Sequence, residues 1–290
     1  MNSDLTERMS LERAIRLWRN CRMNSTTRPP YPSDVSDAEW QIWEPFTTSP
    51  MSDNFEEPKY PRREILNAIL YRERTGCQWR YLPHDLPPWQ DVYAHWRRWL
   101  DRRVFERARD AWRREVRTLE GRAEEPTLGV IDSQSVKSTE AGGERGFDAG
   151  KKVKGRKRHV LVDVLGIILA VVVTGANVQD REGPGLLRAE ISRKLPSLKK
   201  ILVDGAYQGA VIDEFEAATG ISVEITRPPD GHKGFVVVRQ RWVVERTFGW
   251  MNRYRLLAKS YDKLVKCEEG AVNLAITRQL SRRIAAYTTA

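Results

Sequence analysis

The chain has 290 residues, 40% hydrophobic and 30% charged, with a formal net charge of +10 and a pI near 9.6. That length can bury one large core or two smaller ones, and no apolar run approaches the ~20 residues of a membrane span. Cys21, Cys77 and Cys267 lie far apart, His84, His95, His159 and His232 lack zinc spacing, and the charged N-terminus has no signal-peptide pattern. A disulfide framework, a structural zinc and secretion are therefore disfavoured, and a reduced cytoplasmic setting is expected.

In chain order, residues 1–30 read as a flexible extension with one short helix at residues 11–19. Met23, followed by Asn-Ser-Thr-Thr-Arg-Pro-Pro, reads as an alternative start of translation. Residues 31–120 read as a small all-α domain that holds seven of the ten tryptophans. Ser36-Asp37-Ala38-Glu39 has the S-x-x-E form of a capping box and opens a helix through Trp43. Ile65, Leu66, Ile69 and Leu70 make the stripe of a second helix over residues 62–75, and Gly76 stops it. Pro87-Pro88 opens a third, over about residues 89–100, that mixes aromatics with Arg97 and Arg98. Helix, Gly-containing connection and basic aromatic helix suggest a helix-turn-helix-like DNA reader; an ordinary helical bundle with a longer connection fits as well.

Residues 121–125 read as a polar hinge, and the texture then changes to strands. Strands are expected at residues 127–132, 159–164, 167–174, 200–204 and 222–226, with a hairpin turn at Gly166. Helices are expected at residues 183–195 and 211–219, a Pro/Gly loop at 227–234 and a last helix from about Arg239 to Met251. A hairpin followed by alternating strands and helices implies a mixed α/β sheet flanked by helices, over residues 126–280.

Two of these strands end alike: LGVID stops at Asp132 and KILVD at Asp204. Ser133-Gln134-Ser135 are then expected to turn the chain. Groups at the carboxyl ends of strands face the crevice of an open α/β sheet, so the two aspartates suggest a shared site. Glu245, in RWVVERTFGW, is the third acid, with Arg241 four residues before it. An ordinary surface ion pair explains Arg241 and Glu245 taken alone. Three carboxylates from different elements suit oxygen-preferring divalent ions and two-metal phosphoryl chemistry.

The charge is uneven. Residues 97–117 hold nine arginines against four acids, and residues 151–158 hold six cations and no acid. Such concentration fits a polyanion such as nucleic acid. Lys151, Lys152, Lys154, Arg156, Lys157 and Arg158 are expected on a loop that touches DNA backbone, with a solvated hairpin tip as the plain alternative.

YPSDVSDAEW, NAILYRERTGCQWRYLPHDLPPW, the segment from VIDSQSVK to GKKVKGRKRHVLVD, LVDGAYQG and RWVVERTFGWMNRYRLLAKSYD stand in the same order as in the DDE insertion-sequence transposases of the group numbered five. The chain resembles them over about residues 31–261. The resemblance implies a ribonuclease-H-like catalytic domain with Asp132, Asp204 and Glu245 as catalytic acids and ligands of Mg²⁺, Mn²⁺ substituting. It also implies cleavage of double-stranded DNA at terminal inverted repeats, joining of the freed 3′ ends to target DNA, and a homodimer or higher oligomer on bacterial nucleoid DNA. The related signature Tyr-x2-Arg-x3-Glu-x6-Lys is matched at Arg241 and Glu245, but Val238 stands at its tyrosine position and Asn252 at its lysine position, with Arg253 beside it. Arg241 and Arg253 are expected to contact DNA. A ribonuclease-H-like nuclease without strand transfer and a non-catalytic DNA-binding regulator remain as alternative readings.

Overall fold

The computed structural model describes residues 28–48, 59–140, 142–226 and 241–289. The expected helix at residues 11–19, Met23, the loop at 227–234 and Val238 lie outside the described residues.

Helix α1 (Asp37–Thr48) starts at the expected capping box. The Glu39 carboxylate accepts the Ser36 N–H at 2.9 Å, and the Ser36 hydroxyl accepts the Glu39 N–H at 3.2 Å, so two otherwise orphaned donors are satisfied. Helix α2 (Arg62–Thr75) ends at Gly76, whose φ of 71° is the left-handed cap a glycine adopts without a Cβ clash. Helix α3 (Trp89–Asp101) follows Pro88, and α4 (Val104–Leu119) follows a tight corner. A cluster of aromatics in this region faces inward: Trp43, Trp96, Trp99, Phe105 and Trp112 are all buried. Trp43 and Trp112 meet edge to face at 4.8 Å, a favoured geometry for aromatic pairs.

Six strands form one sheet: β1 (Leu128–Lys137), β2 (Gly146–Asp148), β3 (Val153–Asp163), β4 (Ile168–Gly175), β5 (Lys200–Val203) and β6 (Ser222–Ile225). Strands β2 and β4 share one edge of β3, all antiparallel; β1 pairs antiparallel with the other edge. Strands β5 and β6 continue from β1 in parallel. Helices α5 (Gly183–Lys194) and α6 (Ala210–Thr219) cover one face, and α7 (Trp242–Met251) and α8 (Val265–Thr289) lie on the other. This is the mixed α/β, ribonuclease-H-like architecture expected, preceded by a helical region.

Successive strand residues serve opposite faces, as a pleat requires. Ile131 and Leu161 pack with Leu187, Ile191, Ile212 and Phe215 under α5 and α6. Their neighbours Val130, Val160 and Val162 belong to the second core, which runs continuously into Trp43, Trp96 and Trp112 of the helical region. Helix α8 carries that continuity through Val272, Leu274 and Ile276, which are buried in the same core.

Two expectations are corrected. Strand β1 does not stop at Asp132; it continues to Lys137, and Ser133, Gln134 and Ser135 pair with His159, Arg158 and Lys157. They are strand residues, because β3 is long enough to pair with them. Strand β3 in turn begins at Val153, so most of the basic run is strand and not loop. Strand β2 was not foreseen; three residues are too few for a readable alternation. No helix among the described residues is long and apolar enough to cross a membrane.

Candidate active site

The parallel pairing of β1 with β5 sets the site. Leu128 lies opposite Lys200, Gly129 opposite Ile201 and Val130 opposite Leu202. Strand β5 ends at Val203, and the same register carried two residues further sets Asp204 beside Asp132. The parallel ladder stops where the two carboxylates begin, so neither is sealed by a strand on that side. Asp204 closes its own turn, its Oδ1 accepting the Ala206 N–H at 2.8 Å. Asp132 Oδ1 accepts the Ser133 N–H at 2.7 Å. Burial raises the Asp132 carboxyl to about 6, its bond to Ser133 works against this, and the charge of Asp204 adds to it. Two aspartates close enough to perturb each other form a site that favours a cation.

Glu245 comes from α7. That helix buries Val243, Val244, Thr247 and Met251 against the sheet and leaves Glu245 exposed. The hairpin between β3 and β4 anchors it: the Thr247 hydroxyl donates to the Gly166 carbonyl at 2.8 Å, and Arg246 donates to the Leu165 carbonyl at 3.1 Å. Arg246 is clasped between the rings of Trp242 and Trp250, 4.3 and 4.7 Å from their centroids. Gly166 has a φ of 79°, and a Cβ there would meet the Thr247 hydroxyl at 2.9 Å.

Arg241 joins the acids. One guanidinium nitrogen lies 3.6 Å from Asp204 and another 3.5 Å from Glu245. Its charge also acts on Asp132. Asp132 and Asp204 thus lie side by side, and Glu245 reaches them through Arg241. Among the described residues no three His, Cys, Asp or Glu side chains stand close enough to hold a metal ion. The donor set still suits one: oxygen ligands only, paired aspartates, and a site that already attracts a cation.

Behind Asp132, on the α5 side, lies a polar network that sequence reasoning missed. The Lys151 ammonium lies 3.2 Å from the Ser133 hydroxyl and 3.2 Å from Asp180. Lys157 pairs with Asp180 at 2.6 Å and with Asp148 at 3.1 Å, and Ser135 donates to Asp148 at 2.6 Å. Burial opposes ionisation of Asp180, but Lys157, Ser133 and Lys151 outweigh it and hold the carboxyl below its usual value. His159 is pushed down to about 4 by burial and by Lys157, so its imidazole is neutral at pH 7. Burial together with Asp132, Asp180 and Asp204 raises the buried Tyr207 hydroxyl well above its usual value, and Ser133 beside it works against this. Tyr207 was within reach in the string LVDGAYQG, and Asp148 in the segment that runs to GKKVKGRKRHVLVD; Asp180 carried no such cue.

The expected DNA-contacting cations divide. Lys151, Lys152, Lys154, Arg98 and Arg253 are exposed, and Arg97 is half-buried beside the Tyr93 hydroxyl. Arg156, Lys157 and Arg158 are corrected: they are buried and paired internally. Arg156 meets Glu268 at 3.1 Å and Arg158 meets the same carboxylate at 2.7 Å. A cation so enclosed has no face left for a phosphate. Arg109, Arg113 and Arg117 are likewise buried, with Asp110, Glu125 and Asp163 as partners, so much of the basic run in α4 is internal.

Residues 123–280 match the model of the family described as Transposase DDE domain. The chain belongs to the DDE transposase family. Residues 35–108 match a second family, described as Putative transposase of IS4/5 family. A curated relative, the putative transposase for insertion sequence element IS402 of Burkholderia cepacia, is 28% identical over 116 residues, covering 38% of this chain. The chain spans about half, 54%, of that relative's length.

Proposed function

We propose that this DDE transposase-family chain cuts DNA at the terminal inverted repeats of an insertion sequence and joins the freed 3′ ends to target DNA. The observation that carries the proposal is the register of β1 against β5. It sets Asp132 beside Asp204, on the flank to which Arg241 also draws Glu245. Asp132, Asp204 and Glu245 are the residues that would hold Mg²⁺, or Mn²⁺ in its place. When bound, the metal supplies an activated oxygen nucleophile and charge stabilisation at the phosphorus.

The chain's own residues do the rest. Asp132 and Asp204 keep a concentrated negative charge just past the end of the parallel β1–β5 ladder. Arg241 neutralises part of that charge in the free protein, and its guanidinium fork matches a phosphate as well as a carboxylate. Lys151, fixed between Ser133 and Asp180, sets a second cation next to Asp132. Exposed Arg98, Lys152, Lys154 and Arg253, with Arg97, hold the DNA through its backbone. Two element ends call for at least two copies of the chain, a homodimer or more, on nucleoid DNA in the cytoplasm.

The test is an analysis of products. The chain is incubated with Mg²⁺, repeat-end DNA and a target plasmid, and the strands are resolved on a denaturing gel. Repeat-end strands joined to the plasmid are the expected result. Nicks without joined strands would reduce the protein to a nuclease, and binding without cutting would reduce it to a regulator.

A further inference from the structure

Beyond the acidic site, the ends of β1 and β3 next to β2 form an open groove of about 650 Å³. Lys137, Arg145, Lys152 and Lys154 line it with Glu140 as the single carboxylate, and Phe147 lies among them. All six are exposed, Phe147 to 56%. Phe147 sits on the edge strand β2, directly across from Lys154.

The groove differs from the rest of the basic run. Arg156, Lys157 and Arg158 spend their charge on the buried carboxylates of Glu268 and Asp148. The side chains of Lys137, Lys152 and Lys154 carry no hydrogen bond or ion pair among the described residues. The backbone is shaped to present them. Lys152 has a φ of 53°, a conformation glycine adopts freely and lysine rarely. The turn before it is held by the Asp148 carboxylate, which accepts the Lys151 N–H at 3.0 Å.

A single exposed phenylalanine is ordinary on a protein surface. A ring fenced by four cations is a different environment. It has no apolar rim with which to dock a protein, and its face is open to a flat partner that brings negative charge. Unpaired DNA is such a partner, combining phosphates for the cations with bases that stack on an aromatic ring. Duplex DNA hides its base faces in its own stack, and an acidic peptide offers charge without a ring.

We propose that this groove holds an unpaired segment of a DNA strand, its phosphates on Lys137, Arg145, Lys152 and Lys154 and one base stacked on Phe147. The proposal rests on the reading of the chain as a DNA-cutting transposase. Along β3, Lys154 is six residues from Val160, the partner of Asp132, so it and Phe147 share that face of the sheet about 20 Å from the acid. A strand passing the acids and separated from its complement reaches the groove within a few nucleotides.

Fluorescence anisotropy tests it, with a dye-labelled oligo-dT strand, a labelled duplex and a labelled oligo-glutamate peptide. The proteins compared are wild type, Phe147→Ala, Phe147→Trp and the pair Lys152→Ala with Lys154→Ala. Phe147→Ala is expected to lose roughly 5- to 150-fold in single-strand affinity, the range for one stacked base, with duplex affinity unchanged. Phe147→Trp retains it, which excludes misfolding as the cause. The lysine pair weakens binding of both DNA forms and flattens the salt dependence. Equal losses for strand and duplex, or an unchanged single-strand affinity in Phe147→Ala, would overturn the proposal. So would a peptide bound as tightly as the strand with the same dependence on Phe147. Repeat-end cleavage by the same wild-type preparation separates the two ideas: cutting without a Phe147 effect removes the groove alone, and a Phe147 effect without cutting supports the groove and removes the parent reading.

Discussion

Arg241 holds Asp204 and Glu245 on two nitrogens of one guanidinium, so it competes with any cation that enters. Arg241→Gln removes the competing charge and keeps a polar amide in a shorter side chain. Its Mn²⁺ affinity without DNA should rise by roughly two- to fivefold, the equivalent of a part-exposed ion pair worth under ~1 kcal/mol, while its affinity for DNA falls. Calorimetric titration with Mn²⁺ reads the first change. A fall in Mn²⁺ affinity would show that Arg241 organises the acids and does not compete for them. A second residue governs stability and not chemistry. Glu73 is buried, and burial raises its carboxyl to about 8, against the influence of Arg72. A carboxyl whose folded value lies above its unfolded one binds a proton in the fold. Its stabilisation is complete below the unfolded value near 4.5 and is lost as pH rises towards about 8. Wild type should therefore lose several degrees of Tm between pH 5 and pH 8 relative to Glu73→Gln, as thermal melts at the two pH values would show. Parallel curves for the two proteins would contradict the assignment.

At the scale of elements, α7 is only as well placed as the hairpin beneath it. Thr247→Val keeps the shape but leaves the buried Gly166 carbonyl without its donor, at a cost of about 1–3 kcal/mol. Gly166→Ala combines a left-handed φ with a Cβ 2.9 Å from the Thr247 hydroxyl and should cost at least as much. Denaturant melts give the stabilities, and repeat-end cutting should fall in both variants as Glu245 shifts. Full activity with reduced stability would detach Glu245 from the hairpin. The elements also show what the sequence could and could not disclose. Helices α1, α2 and α3 were legible because their ends are local chemistry: a capping box, a left-handed glycine and a proline. The length of β1 was not, because Ser133, Gln134 and Ser135 are poor strand formers that stay in the ladder only through β3. The basic run misled for the same reason. GRKR has the composition of a solvated loop; Asp148 and Asp180, and Glu268 more than a hundred residues away in sequence, make a buried strand of it.

At the scale of the whole molecule, α8 ties the sheet to the helical region. Glu268 near its start neutralises Arg156 and Arg158 of β3, and Arg278 further along pairs with Glu39 of α1. Glu268→Ala would leave two buried guanidinium groups without their carboxylate, a loss of about 3–5 kcal/mol. Because the core is continuous across the helices and the sheet, both should melt in one transition at a lower temperature, measured by tryptophan fluorescence for the helical region and far-ultraviolet dichroism for the whole. Two separated transitions would contradict the shared core. The three acids were marked in the sequence by the apolar runs that lead to Asp132 and Asp204 and by a family pattern that adds Glu245. The contact of Arg241 with Asp204, the lysine network behind Asp132 and the groove at Phe147 were not, since each depends on residues that only the folded chain brings together.

The central claim is that Asp132, Asp204 and Glu245 act as one metal-dependent cutting site. Wild type and Asp204→Asn, each with and without Mg²⁺, are incubated with DNA carrying the repeats that flank this gene. Cutting at the repeat ends that requires the metal and vanishes in Asp204→Asn is the result predicted. Cutting that persists in Asp204→Asn, or that ignores the repeats, would contradict it.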